Sequence, residues 1–213
     1  MGLHAKLNKF VRDAKSKLFT MLWYRFYFYR IGKRSSINPP FFTHHPEYIE
    51  IGHRVSIAPF CRIEAHPTYP GKRLLTPLIS IGNRVRLGHG ANLSGQQSLI
   101  IEDDVLISGG SYISDNNHAI DPEGPRYLDQ VSTSSPTFIG KGAWIGQNAC
   151  VLAGSYIGER SIIGAGSIVN GCIPPYSIAV GAPARVVKQY NFATKKWDKV
   201  KGEDLPKTML RGV

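Results

Sequence analysis

From Ile51 onward, aliphatic residues return at every sixth position. IGHRVS (51–56) and IAPFCR (57–62) lead to Ile63, and IGNRVR (81–86), LGHGAN (87–92) and LSGQQS (93–98) follow. IEDDVL (101–106), ISGGSY (107–112) and ISDNNH (113–118) come next. From residue 139 the repeat runs unbroken through IGKGAW, IGQNAC, VLAGSY, IGERSI and IGAGSI to Val169. The first position is Ile, Leu or Val in all fifteen hexads, and the fifth is mostly small or Val. A six-residue period fits a short strand plus a tight turn. Three such sides close a triangular coil of about 18 residues, and coils stack into a solenoid. The first position points into the prism, the fifth points inward near a corner, and the sixth faces out. Glycine at the second position is expected to supply a backbone conformation closed to other residues.

The hexads come as three, three, three and six. Three make one coil, so about five coils are expected. The breaks at 65–80, 99–100 and 119–138 then all leave the prism at the same corner, and the loops stack along one edge. Loops on one edge of a rigid repeat are where binding sites are built. The expected organisation is a helical flank over 1–48, the solenoid over 49–182 and a basic extension over 183–213. Residues 3–29 read as a helix, with Leu3, Leu7, Phe10, Ala14 and Met21 near heptad spacing. The segment LFTMLWYRFYFYR (18–30) is aromatic and basic. It caps the open end of the solenoid, or it lies in an anionic membrane interface through residues 1–34.

Composition adjusts this picture only modestly. The 213 residues are 42% apolar and 19% charged, which suits a folded domain. Three Cys exclude a disulfide scaffold. Cys61 sits at an inward position, and Cys150 and Cys172 have no activating neighbour in sequence. No apolar run is long enough to span a membrane, and Lys and Arg interrupt every apolar run before residue 31, so no secretory leader is expected. The net charge of +11 divides into +8 over 1–34, −2 over 35–184 and +5 over 185–213. A basic surface on the folded body is what nucleic acid would require, and the body is mildly acidic. The expectation is a cytoplasmic protein with no nucleic-acid partner, or one held peripherally at the inner membrane surface.

NNHAID (116–121), the run 139–169 and IPPYSIAVGAPARVVK (173–188) give the chain its likeness to a known family. Over about residues 49–190 it resembles the hexapeptide-repeat acyltransferases, which form a left-handed parallel β-helix. The likeness is greatest to galactoside and maltose acetyltransferases and to capsule or lipopolysaccharide O-acetyltransferases. The left hand of the helix is implied by the resemblance. So are acetyl-CoA as co-substrate, a homotrimer with each site between two prisms, and the roles of several residues. His118, at position six beside the longest loop, matches the general base. Its imidazole titrates near neutrality and can take a proton from a hydroxyl. Asp121 is placed to orient that imidazole, although a turn Asp before Pro122 is an equally ordinary reading. Trp144, Gln147, Ala165 and Asn170 match positions that line the acetyl-CoA groove. Arg185 and Lys188 match basic residues that meet the phosphates of the donor. Asn92 matches an acceptor-binding Asn.

No metal is expected. The related γ-class carbonic anhydrases require a cluster of zinc histidines, and His118 has no histidine five residues to either side; His66 and His89 are isolated in sequence. The reading is direct acetyl transfer to a hydroxyl of a sugar or polysaccharide precursor. The alternatives are acetylation of an antibiotic, N-acetylation of an amino sugar, and a scaffold without activity.

Overall fold

A computed structural model describes residues 3–68 and 77–200. The repeat folds as a three-faced parallel prism, and the faces alternate in strict rotation along the chain. The first face begins with Arg30–Ile31 and ends with Cys172–Ile173. The second runs from Ser36–Ile37 to Ser177–Gly181, and the third from Phe42–His44 to Ile168–Val169. The first and second faces therefore hold seven parallel strands each, and the third holds six. This makes six complete coils and two strands of a seventh.

The prism starts one coil earlier than the aliphatic pattern predicts. Residues 30–44 form a full turn whose strands pair in register with 49–65. Its three inward positions are Ile31, Ile37 and Thr43. The polar third residue, together with Pro39 and Pro40, breaks the aliphatic signature without breaking the coil.

The core is the stack of first-position side chains. Ile51, Ile81, Ile101, Ile139 and Ile157 lie above one another on the first face, and all are at most 2% exposed. Burying one such side chain contributes about 1.5–3 kcal/mol, repeated coil after coil. Fifth positions are buried near the corners, as their size requires. Where they are serine, the hydroxyl bonds backbone of the adjoining coil: Ser111 Oγ donates to Gly146 O at 2.9 Å, and Ser161 Oγ to Pro174 O at 2.6 Å. That satisfies a polar group which would otherwise be costly to bury.

The second-position glycines act differently from expectation. None of Gly52, Gly82, Gly146 or Gly164 has positive φ. They are required because the next coil passes too close for any side chain. A Cβ on Gly52 would lie 2.6 Å from the Gly82 carbonyl carbon, and one on Gly82 would lie 2.7 Å from Asp103 N. The left-handed conformation falls two residues later, at Arg54 (φ 58°), Arg84 (φ 57°) and Asp104 (φ 63°). Third-position side chains complete the same corner. Asp103 Oδ1 accepts the Asn83 N–H at 2.6 Å, and Asn83 Oδ1 accepts the His53 N–H at 2.8 Å.

The ends are closed by other elements. Helix α1 (Leu3–Leu22) crosses the open end, where Thr20 Oγ1 accepts the N–H of Ile37 at 2.8 Å. Tyr24, Phe28 and Phe41 pack edge to face beneath it. At the other end the second face continues into an antiparallel hairpin, Ala184–Asn191 with Lys196–Lys199.

Candidate functional site

Every long departure from the prism lies between the third and first faces. These are 66–78 and 115–136; the short connections 45–48 and 96–98 lie on the same edge, as the hexad count predicts. Residues 69–76 of the loop 66–78 lie outside the described residues.

The longest loop leaves earlier than the sequence suggests. The third-face strand Tyr112–Ser114 ends in a turn held by Ser114 Oγ, which accepts the Asn116 N–H at 3.0 Å and donates to Asn116 O at 2.8 Å. The chain then forms a small antiparallel pair, Asn116–Asn117 with Thr133–Ser134. His118 follows directly and is exposed. It therefore stands on the loop edge and not at the sixth position of a prism face, because the turn at 114–116 has already taken the chain out of the repeat.

The contacts of Asp121 lie within its own loop. Its carboxylate accepts the Glu123 N–H at 2.9 Å, and its backbone is bracketed by the Gln130 amide. Among the described residues no hydrogen bond joins it to His118. The turn reading of Asp121 is the one its contacts support.

Asp115 carries a role the hexad pattern hides. It is fully buried at the loop edge, where one carboxylate accepts the N–H groups of Gln96 (2.7 Å), Gln97 (2.8 Å) and Ser98 (2.6 Å). Its backbone carbonyl accepts the Ser135 N–H at 2.7 Å. Asp115 thus ties the short loop of one coil, through its carboxylate, and the far end of its own long loop, through its carbonyl, to one point. An acidic residue inside an apolar repeat is the only sequence signal that could have marked it.

Three imidazoles share this edge two to three coils away. His44 and His45 lie with ring centres 4.2 Å apart, and His44 and His66 6.2 Å apart. With Gln96, Val131 and Ser132 they line a cavity of about 360 Å³. Burial holds the His66 imidazole below its ordinary range. His89 lies on another edge, against Phe60. Among the described residues, no group of three or more His, Cys, Asp or Glu has metal-binding geometry.

The residues expected to meet the acyl donor fall elsewhere. Trp144 is on the outer side of the second face, between Leu106 and Ile162, and its indole N–H donates to Ser108 Oγ at 3.0 Å. It is 45% exposed, a large aromatic area for a solenoid face. Gln147 and Ala165 are exposed in successive turns between the second and third faces. Arg185 and Lys188 are exposed on the strand that extends the second face. Asn170 alone sits on the loop edge, two coils beyond the coil that His118 leaves. Asn92 is half-buried on the outer side of the third face, between Arg62 and Tyr112. The backbone N–H groups of Trp144 and Gly146 donate to Ser161 O and Ile163 O, so neither is free for a ligand. Within one chain, His118 and the Trp144–Gln147–Lys188 group thus occupy different edges of the prism.

Comparison with known proteins agrees with this architecture. Residues 136–171 match the bacterial transferase hexapeptide repeat, and residues 78–115 match the hexapeptide repeat of succinyl-transferase. The chain is 34% identical over 129 residues to the Escherichia coli protein named as the lipopolysaccharide biosynthesis O-acetyl transferase WbbJ, covering 57% of this chain and 66% of that one. It is 33% identical over 119 residues to the galactoside O-acetyltransferase of the same organism, covering 56% and 58%. The chain spans less than two thirds of the length of these relatives. Among solved structures, AntD, an N-acyltransferase from Bacillus cereus in complex with dTDP and 3-hydroxybutyryl-CoA, matches the fold with a TM-score of 0.65. That identity is 22%, over 80% of this chain and 88% of the other. Stacked hexads, loops gathered on one edge and these likenesses lead to one conclusion: the chain belongs to the hexapeptide-repeat acyltransferase family.

Proposed function

We propose that the protein transfers an acetyl group from acetyl-CoA to a hydroxyl of a sugar or polysaccharide precursor, with His118 as general base. The observation that carries this reading is the loop edge, where every long departure of the chain gathers and His118 stands exposed at the base of the longest. The neutral imidazole takes the proton of the acceptor hydroxyl as its oxygen attacks the thioester carbonyl. The C–O bond forms, the C–S bond breaks, and the imidazolium returns its proton to the departing thiolate. The oxyanion is met by the N–H of Gln147, in the exposed turn after Trp144. Arg185 and Lys188 bind the donor phosphates, and Asn92 contacts the acceptor. Asp121, whose carboxylate accepts the Glu123 N–H, shapes the loop beside His118 in this mechanism and orients the imidazole only if the loop moves.

The site is completed between two copies of a homotrimer. One copy brings the loop edge with His118, and the next brings the second face with Trp144, Gln147 and the Lys188 strand. Support for this comes from the separation of the two groups on different edges of one prism.

Acetyl-CoA turnover against a panel of sugars, nucleotide sugars and antibiotics identifies the acceptor class. On the acceptor found, His118→Ala lowers kcat by about 10²–10⁴-fold with donor affinity nearly unchanged. Lys188→Ala weakens donor binding by about tenfold, with a smaller effect on kcat. Wild-type turnover by His118→Ala would remove His118 from the mechanism.

A further inference from the structure

Over its described side chains, from residue 14 onward, helix α1 is oriented against the usual rule for a surface helix, which buries its apolar stripe and exposes its polar one. Here the side chains turned to the prism are Ser16 and Thr20, only 3% and 2% exposed. Leu18, Phe19, Met21, Leu22 and Trp23 are each between 46% and 59% exposed, and Phe26 beyond the helix is 80% exposed. Phe19 and Trp23 stack on each other, with their remaining surface open to solvent. Phe19 also touches the cap, edge to face on Tyr24 at 5.3 Å, but Tyr24, Phe28 and Phe41 cover the open end without Leu18, Met21, Leu22 or Phe26. A contiguous apolar surface of this kind marks a contact with something outside the chain.

Charge indicates which contact. Residues 14–34 carry six Lys or Arg and no Asp or Glu. The helix separates two grooves. One, of about 870 Å³, is apolar and lined by Val11, Leu18, Phe19, Leu22, Trp23 and Pro39. The other, of about 830 Å³, is lined by Lys17, Arg25, Lys33, Arg34 and His53 among others. Arg30 also borders it but is engaged with Glu50. A second copy of the same segment would bring the same six charges and be repelled. A surface that is apolar within and anionic at its boundary satisfies both grooves at once.

We infer that residues 11–34 dock the protein on an anionic lipid surface. Phe19, Leu22, Trp23 and Phe26 enter the headgroup boundary, and Lys17, Arg25, Lys33 and Arg34 meet lipid phosphates. The coil that His118 leaves is the fourth from this end. At the strand spacing of about 4.8 Å, that sets it roughly 14 Å from the docked coil.

The test is flotation of the full chain with phosphatidylcholine vesicles, with and without phosphatidylglycerol, at low and high salt. Binding is expected only with phosphatidylglycerol, and it weakens as salt rises. Arg25→Gln and Arg34→Gln each weaken partitioning about fivefold. The double change Phe19→Ser with Trp23→Ser abolishes partitioning while circular dichroism of the prism stays unchanged. Failure to float at low salt overturns the inference, as does equal binding to neutral vesicles. If the aromatic double variant alters the sedimentation coefficient and leaves flotation intact, the face is an interface between chains and lipid docking is wrong.

Discussion

Replacing Asp115 tests how the candidate site is held together. Its carboxylate, itself fully buried, accepts three backbone N–H groups from residues 96–98 at 2.6–2.8 Å, in bonds that are part-buried. Asp115→Ala leaves all three donors without a protein partner. A hydrogen bond to a charged group nets about 1.5–3 kcal/mol, and bonds sharing one carboxylate are not additive, so the loss comes to about 3–6 kcal/mol. For a chain of this size each kcal/mol moves the melting point by about 2–4 °C, which gives a fall of roughly 6–24 °C. Asp115→Asn keeps the shape but puts an amide N–H₂ among the donors, and costs about half as much. Thermal unfolding by circular dichroism measures both. Amide exchange at Gln96, Gln97 and Ser98 reads the local effect and should speed up more than exchange at Ile51 or Ile157. A melting point lowered by less than about 2 °C in Asp115→Ala, with protection at 96–98 intact, would refute the reasoning.

Two glycines separate close approach from backbone conformation. Gly82→Ala drives a Cβ into the Asp103 backbone and should cost about 1–3 kcal/mol or more. Gly90→Ala meets no atom within 4 Å but must hold φ near 69°, at a cost of about 1–2 kcal/mol; melting points of the two variants check this. The corner acids give a pH dependence. Asp103 is held below the ordinary carboxylate range by the Asn83 N–H, and Asp104 by the Arg84 guanidinium. A depressed folded value contributes stability above the ordinary carboxylate pKa of about 3.9, and that stability is lost as pH falls through the folded value. Both groups are solvent-accessible, so the stabilisation is under about 1 kcal/mol. Asp103→Asn should lower the melting point slightly at neutral pH and match wild type in strong acid.

Much of the prism is legible in the sequence because one constraint repeats. An inward position on a three-sided coil must be aliphatic, so Ile51, Ile81 and Ile101 announce both the period and the breaks. The same rule fails at 30–44, where Thr43 occupies an inward position and tertiary pairing with 62–64 carries the coil. The Gly52–Gly82 contact is between coils, and its distance cannot be read from either hexad alone. The loop edge follows from counting hexads, but the exit of the long loop does not. It depends on a local turn held by the Ser114 hydroxyl and on the Asp115 carboxylate bonding backbone at 96–98, far away in sequence. His118 and Trp144 stand out by residue type and position. Separation of their edges required the fold.

The two-chain site is tested most directly by mixing inactive variants. His118→Ala lacks the base, and Arg185→Glu with Lys188→Glu lacks the donor clamp. In a cyclic trimer with sites between neighbours, every mixed trimer contains one junction with an intact base and an intact clamp. Random mixing in equal amounts then restores about a quarter of wild-type sites at limiting acetyl-CoA. Recovery near that level, with each parent inactive alone, is the predicted result. A mixture no more active than its parents, with trimers shown to have exchanged subunits, would contradict the shared site.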